Sequence, residues 1–183
     1  MPDPVLAPLL LVDVDGVLSL FGPEVDRDGC TPALIDGIPH FLSGTAGALL
    51  ARLAGRFECV WCTGWEDRAD WHLPHLLGLP AGWVHITFSD RPEDAAHWKL
   101  RAIDAYAGPD RPTAWIDDAH DERCHAWAAA RPGPTLLVTT QPSAGLTERE
   151  AATLEAWADR QGSAAVSSSH DGEYLARGRR DRD

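Results

Sequence analysis

The sequence has few basic residues, few cysteines and no long apolar run, and each shortage excludes a class of protein. Its 16 Lys and Arg are outnumbered by 28 Asp and Glu, which gives a net charge of −12. A broad nucleic-acid surface needs clustered cations, so we do not expect one here. No apolar stretch approaches the roughly 18 residues of a membrane-spanning helix, so we expect no membrane partner. Four scattered cysteines are too few for a disulfide scaffold of 183 residues, which favours a reducing, cytoplasmic setting.

Strand-length apolar segments alternate with segments of helical period. The predicted strands are 9–14, 57–62, 84–88, 113–117 and 135–140, and the predicted helices are 45–55, 66–78, 92–108, 121–131 and 147–162. Strands that are apolar almost throughout are typical of a parallel sheet covered on both faces. The alternation therefore predicts a three-layer, Rossmann-like α/β fold with a central, mainly parallel five-stranded sheet.

Two segments depart from this alternation. Residues 16–44 are rich in Gly, Pro and Asp, and we expect them to form a loop or short hairpin flap over the end of the first strand. Residues 163–183 are small, polar and charged, and we expect a flexible tail. The basic segment typical of a signal peptide is missing before the first strand. We therefore predict one domain over residues 1–162.

The first strand ends in "VDVDG", which places Asp13 and Asp15 two residues apart. Two close carboxylates repel each other, so they call for a cation or a shared proton. A small number of hard oxygen ligands suits Mg²⁺. An ordinary strand-end turn explains the same residues, because Asp is common in turns and Gly16 allows a sharp one.

Three further polar motifs follow in order. "VWCTGW" places Thr63 and Gly64 after the second strand, where a hydroxyl and an unhindered backbone N–H suit a phosphate group. "HWKL" places Lys99 within a helix, and "AWIDD" ends the fourth strand on Asp117 and Asp118. Each motif alone fits a cap, a turn or a solvated helix residue. In a parallel sheet, however, strand-end groups gather at one edge, which is where ligands bind.

The four motifs, in this order, resemble those of the haloacid dehalogenase-like phosphatase superfamily. The resemblance covers roughly residues 9–140, and "DVDGVL" is its most specific part. "WIDDAHD" resembles the metal-binding motif of nucleotidase-like members. The resemblance implies that Asp13 is the nucleophile and that Asp15 acts first as general acid and then as general base. It implies that Mg²⁺ is bound by Asp13, the backbone carbonyl of Asp15 and Asp118, with Asp117 as support or alternative ligand. It also implies that Thr63 and Gly64 bind the phosphate and that Lys99 balances its charge.

The same resemblance implies a Mg²⁺-dependent phosphomonoester hydrolase that acts through an aspartyl-phosphate. Dehalogenases of this family lack the second aspartate and P-type ATPases carry threonine there, so Asp15 favours phosphatase chemistry. Residues 16–44 are too short for a cap domain, which implies an open site for a small phosphorylated molecule, a nucleotide or a nucleic-acid end. Trp65 and His40 are candidate substrate contacts. Two alternatives remain open: a catalytically weak binding or regulatory protein, and a phosphotransferase to an acceptor other than water.

Overall fold

The computed structural model describes residues 7–89 and 95–177, with side chains up to Ser163. The strands are β1 (Leu9–Val12), β2 (Ser19–Leu20), β3 (Cys30–Ile35), β4 (Ile38–Ser43), β5 (Glu58–Trp61), β6 (Thr113–Asp117) and β7 (Thr135–Thr139). The α-helices are α1 (Gly44–Leu53), α2 (Asp67–Leu77), α3 (Leu100–Ala107), α4 (Glu122–Ala130) and α5 (Glu148–Arg177). The predicted start of the third helix at residue 92 lies outside the described residues.

The central sheet has the order β5-β1-β6-β7, and all of its strand pairs are parallel. β1 occupies an inner position, and all four of its residues are buried. Leu10 and Val12 pack on one face with residues of α1 and α5, whereas Leu9 and Leu11 pack on the other with residues of α3 and α4. Successive strand residues point to opposite faces, so an unbroken apolar strand supplies both cores. The α/β prediction is thereby confirmed, with helices on both faces of a parallel sheet.

The predicted fifth strand of this sheet is not formed. Residues 84–88 run beside β5, but they pair through a single bridge between Trp61 and His85. Trp61 accepts from Ile86 N and donates to Val84 O, both at 2.9 Å. The pairing then stops, because Phe88 N donates to the Glu66 carboxylate at 3.0 Å instead of continuing a ladder. The apolar run therefore covers the sheet edge without becoming a strand.

A small antiparallel sheet occupies the region where the sequence predicts a flap. Its order is β2-β4-β3, and β3 and β4 form a hairpin around Asp36 and Gly37. Ile35 and Leu42 are buried from this sheet into the main core. The segment is thus tied to the body of the domain by apolar packing.

Two helices differ from their predicted bounds. Lys99 lies at the end of a short 3-10 helix, Ala96–Lys99, which passes directly into α3, whereas the sequence places it within one longer helix. α5 continues to Arg177 rather than ending at 162. A glycine such as Gly162 costs a helix only about 1 kcal/mol, which weakens the helix at that point without ending it. The flexibility of residues 163–183 stays a prediction. Among the described helices, none combines the length and the apolar character required to cross a bilayer.

Candidate active site

The carboxyl ends of β5, β1 and β6 meet at one edge of the sheet. Two hydrogen bonds extend the pairing past the strand ends: Cys62 N donates to Val12 O at 2.8 Å, and Asp13 N donates to Ile116 O at 3.1 Å. These bonds fix the backbone just before the polar motifs begin. Because the strands are parallel, Asp13 and the end of β6 come side by side although they lie about 100 residues apart in the sequence.

Lys99 is buried in the middle of this edge and is the only lysine in the sequence. Its Nζ lies 2.7 Å from Asp117 Oδ2 and 3.0 Å from Asp13 Oδ1. It also donates to the backbone oxygen of Cys62 at 3.0 Å. Lys99 is only 4% exposed, and its ammonium group therefore links the ends of all three strands from inside the protein.

Three carboxylates converge beside this lysine. Asp13, Asp117 and Asp118 each offer an oxygen, and these oxygens lie within 4.8 Å of one another. Asp117 is 1% exposed, and both of its oxygens are engaged, one by Lys99 and the other by Ala119 N at 3.0 Å. Asp118 is only partly buried and lines the cleft. The arrangement favours Asp118 over Asp117 for contact with an ion in the cleft.

Burial makes two of these carboxylates, Asp13 and Asp118, hard to ionise. It raises the pKa of Asp13 from 3.8 to about 7; the Lys99 charge opposes this rise and Asp117 adds to it. Burial, followed by the Asp117 charge, raises the pKa of Asp118 from 3.8 to about 6. Although burial disfavours the Lys99 ammonium, Asp13 and Asp117 raise its pKa above the usual value. One lysine thus supplies too little positive charge for three carboxylates, and a divalent cation would supply the remaining positive charge.

Gly16 allows the "VDVDG" turn to pack directly against Asp118 of the "AWIDD" motif. Its φ is +69°, and a Cβ at this position would lie 2.5 Å from Asp118 Cγ. Thr140 holds the same loop, because its hydroxyl donates to Gly16 O at 2.8 Å while its N–H donates to Asp117 O at 3.1 Å. Gly16 is therefore required both for the left-handed turn and for the close approach of Asp118.

The remaining predicted site residues, except His40, line one cleft of about 410 Å³. Thr63 is buried at the end of β5, and its Oγ accepts from Trp65 N at 3.3 Å, whereas the Gly64 backbone is exposed. The residues lining the cleft are Asp13, Asp15, Phe21, Thr63, Gly64, Trp65, Ala96, Trp98, Lys99, Asp117, Asp118 and Ala119. All seven residues with predicted catalytic, phosphate-binding or metal-binding roles, together with Trp65, are therefore in this set.

The carboxylate of Asp15 contacts Trp65 and His40 and is not part of the group of three. Its Oδ2 accepts a hydrogen bond from Trp65 Nε1 at 2.9 Å, and its Oδ1 lies 4.0 Å from His40 Nδ1. His40 is held by a hydrogen bond of 2.9 Å between its Nδ1 and Ser19 Oγ. The predicted contacts of Trp65 and His40 with substrate stay predictions, as does metal binding by the backbone carbonyl of Asp15.

Sequence reasoning missed the residues that support Asp15 and Lys99. Ser19 lies outside the quoted motifs, the Cys62 carbonyl is a backbone group to which no pattern assigns a role, and the Trp65–Asp15 hydrogen bond joins residues 50 positions apart. The sequence did contain one indication that Lys99 is buried at the site: it is the only lysine, and it lies between two motifs at strand ends.

Comparison of the chain with known proteins finds no matching family model and no matching curated protein. The superfamily resemblance therefore stays a prediction based on the motifs.

Proposed function

We propose that this protein is a Mg²⁺-dependent phosphomonoester hydrolase that forms an aspartyl-phosphate on Asp13. One observation carries the proposal. Asp13 and Asp118 converge with a buried lysine in the cleft that also contains Thr63, Gly64 and Asp15. A nucleophile, an anion-binding strand end and a separate acid are the groups that phosphoryl transfer requires.

The residues present fit a magnesium ion. The donor set consists of carboxylate oxygens, which Mg²⁺ prefers, and their raised pKa values indicate a shortage of positive charge. Asp13 and Asp118 would hold the ion, while Asp117, occupied by Lys99 and Ala119, would support them. When bound, Mg²⁺ would offset the negative charge of the phosphoryl oxygens and the attacking carboxylate.

In the first step, a carboxylate oxygen of Asp13 attacks phosphorus. The bond from phosphorus to the ester oxygen breaks, and its electron pair stays on the leaving oxygen, which takes a proton from Asp15. The products are an alcohol and the acyl phosphate on Asp13. Asp15 suits the role of acid because its carboxylate lines the cleft and is not engaged by Lys99.

In the second step, water attacks the same phosphorus and gives a proton to Asp15. The bond between phosphorus and the Asp13 oxygen breaks, releasing inorganic phosphate and the free carboxylate. The two steps together return Asp13 and Asp15 to their starting states. Asp13 therefore serves as nucleophile and Asp15 as acid and base.

Three groups would bind the phosphoryl oxygens. Two of them can donate directly, because the Gly64 backbone is exposed beside the cleft and Thr63 lies immediately before it. The third, the Lys99 ammonium, is fixed by Asp13 and Asp117 and would act through its charge. Donors fixed before the substrate arrives need no reorganisation during the reaction. For the substrate we propose a nucleotide or nucleic-acid end, on the basis of the family resemblance and the open cleft. The acidic charge of the chain disfavours extended contact with a polyanion.

Release of inorganic phosphate from an aryl phosphate tests the proposal. Wild-type protein should be active with Mg²⁺ and inactive with excess EDTA, and Asp13→Asn should lose activity by three or more orders of magnitude, roughly the value of a nucleophile. Asp110→Asn is a matched control, because Asp110 is exposed in the loop before β6 at the opposite edge of the sheet.

Two results would redirect the proposal. A wild-type protein that Mg²⁺ stabilises but that releases no phosphate would favour the binding or regulatory alternative. Transfer of the phosphoryl group to an added alcohol in preference to water would favour the phosphotransferase. Full activity of Asp13→Asn would refute the nucleophilic role.

A further inference from the structure

Trp65 connects the acid–base aspartate to the small antiparallel sheet. Its indole Nε1–H donates to Asp15 Oδ2 at 2.9 Å. The residue follows Gly64 at the cleft, yet it is only 9% exposed. Most of the ring is therefore packed against protein, and its one polar atom is used by Asp15.

The antiparallel sheet holds this indole in place. The imidazole of His40, from β4, packs edge-on against it with the ring centroids 4.7 Å apart and the planes at 64°. His40 is in turn hydrogen-bonded to Ser19 of β2 at 2.9 Å, and Ser19 is buried. β2 and β4 are neighbours in the sheet, with Ser19 paired to Leu42. The orientation of the indole is thus set by β2 and β4, neither of which contains a residue of the carboxylate cluster.

We propose that Trp65 is a positioning residue that fixes the orientation of Asp15 for proton transfer. This inference rests on the proposed phosphatase function. An indole N–H can donate but never accept, so Oδ2 of Asp15 is held as an acceptor whether the carboxyl is protonated or not. The proton that Asp15 gives and takes is therefore carried by Oδ1. The side chain of Asp15 is 51% exposed, so the hydrogen bond restrains the carboxylate without withdrawing it from the cleft.

This role differs from the substrate contact predicted for Trp65, which an aromatic ring would make by stacking. Stacking on a base or sugar needs an open ring face, and little of this ring is open. Positioning needs only the N–H and a rigid ring, and both are present. It also gives the segment 16–44 a function, because Ser19 and His40 belong to it.

The test is the dependence of the rate on the leaving group in Trp65→Phe, which removes the N–H and keeps an aromatic ring. Alkyl phosphates need a proton on the leaving oxygen, whereas 4-nitrophenyl phosphate has a leaving group stable as an anion. We expect kcat/KM, which reports the step up to aspartyl-phosphate formation, to fall roughly 10- to 100-fold for an alkyl phosphate and less than about threefold for 4-nitrophenyl phosphate. Trp127→Phe is the matched control, because it removes a similar indole–carboxylate bond, Trp127 Nε1 to Asp104 at 2.7 Å, between α4 and α3 and outside the cleft.

A second measurement tests the contact without catalysis. In ¹H–¹⁵N spectra, the indole signal absent from Trp65→Phe identifies Trp65, and in Asp15→Ala this signal should move upfield and exchange faster with solvent. An indole signal whose chemical shift and solvent exchange are unchanged in Asp15→Ala overturns the proposal.

The kinetic outcomes separate the two proposals. Equal loss for both substrates, or no loss in Trp65→Phe while wild type is active, overturns the positioning role and leaves the phosphatase intact. A wild-type protein with no phosphatase activity refutes the proposed function, and the positioning role with it.

Discussion

Replacing Lys99 with Met removes the ammonium that the three strand ends share. Methionine keeps a chain of similar length and apolar character, so the change leaves little cavity. The carboxylates of Asp13 and Asp117, both buried, lose the partner that lies 3.0 and 2.7 Å away, and the Cys62 carbonyl loses a donor. Removing one member of a buried ion pair costs about 3–5 kcal/mol, because the remaining charge stays desolvated.

This loss is large beside the roughly 5–15 kcal/mol by which a domain of this kind is stable. For a chain of this size each kcal/mol moves the Tm by about 2–4 °C, so we expect a fall of about 6–20 °C at pH 8 in EDTA. At pH 5 the loss should be smaller, because the unpaired carboxylates can bind protons. Mg²⁺ should restore part of the stability at pH 8 by replacing the missing positive charge.

Urea unfolding followed by the fluorescence of the eight tryptophans measures these differences directly. Arg123→Met is the control, because Arg123 is exposed on α4 and its removal should change stability by less than about 0.5 kcal/mol. A loss below about 1 kcal/mol for Lys99→Met at pH 8, or an equal loss at pH 5 and pH 8, would refute the argument that Lys99 neutralises buried carboxylates.

Three further predictions follow from the same cluster and its surroundings. The folded-state pKa of Asp13 is raised from 3.8 to about 7, so its contribution to the stability of the metal-free protein should be greatest below pH 4. That contribution should fall by on the order of 4 kcal/mol as the pH rises through 7. Urea titrations with and without Mg²⁺ should show that the ion reduces this fall. Gly16→Ala should cost about 1–3 kcal/mol and weaken stabilisation by Mg²⁺, whereas Gly78→Ala, with a similar φ of +67° but open space around its Cβ, should cost less and leave the Mg²⁺ effect unchanged in thermal melts. A thiol reagent should modify only Cys30 of the four cysteines in the folded protein, because the other three are buried; rapid modification of a second thiol would contradict this packing.

The local patterns predicted the parts of the fold that follow from short-range physics. β1, β5, β6 and β7 each lie within a predicted apolar run, because a strand buried on both faces must be apolar throughout. The meeting of Asp13 with Asp117 followed from parallel topology. These predictions needed only the strand assignment and the rule that parallel strands end at the same edge.

The rest depended on long-range pairing that no local pattern reveals. Residues 84–88 have the composition of a strand, but Glu66 takes the backbone donor of Phe88 that a ladder would use. The sequence marked Trp65 only as a candidate substrate contact, whereas its packing against His40 and its bond to Asp15 appear only in the folded chain. In both cases the deciding partner lies more than 20 residues away, and its identity depends on the assembled fold.

The central claim is that Asp13 carries the phosphoryl group, and trapping it there is the most direct test. Wild type and Asp15→Asn would be mixed with 4-nitrophenyl phosphate and Mg²⁺, quenched in acid and digested, and the peptide containing Asp13 would be analysed by mass spectrometry. We predict the added mass of one phosphoryl group on Asp13, more abundant in Asp15→Asn because hydrolysis lacks its base, and absent from Asp13→Asn. Phosphate release by wild type without any such adduct in either protein would contradict the account, because the substrate would then be attacked by water directly.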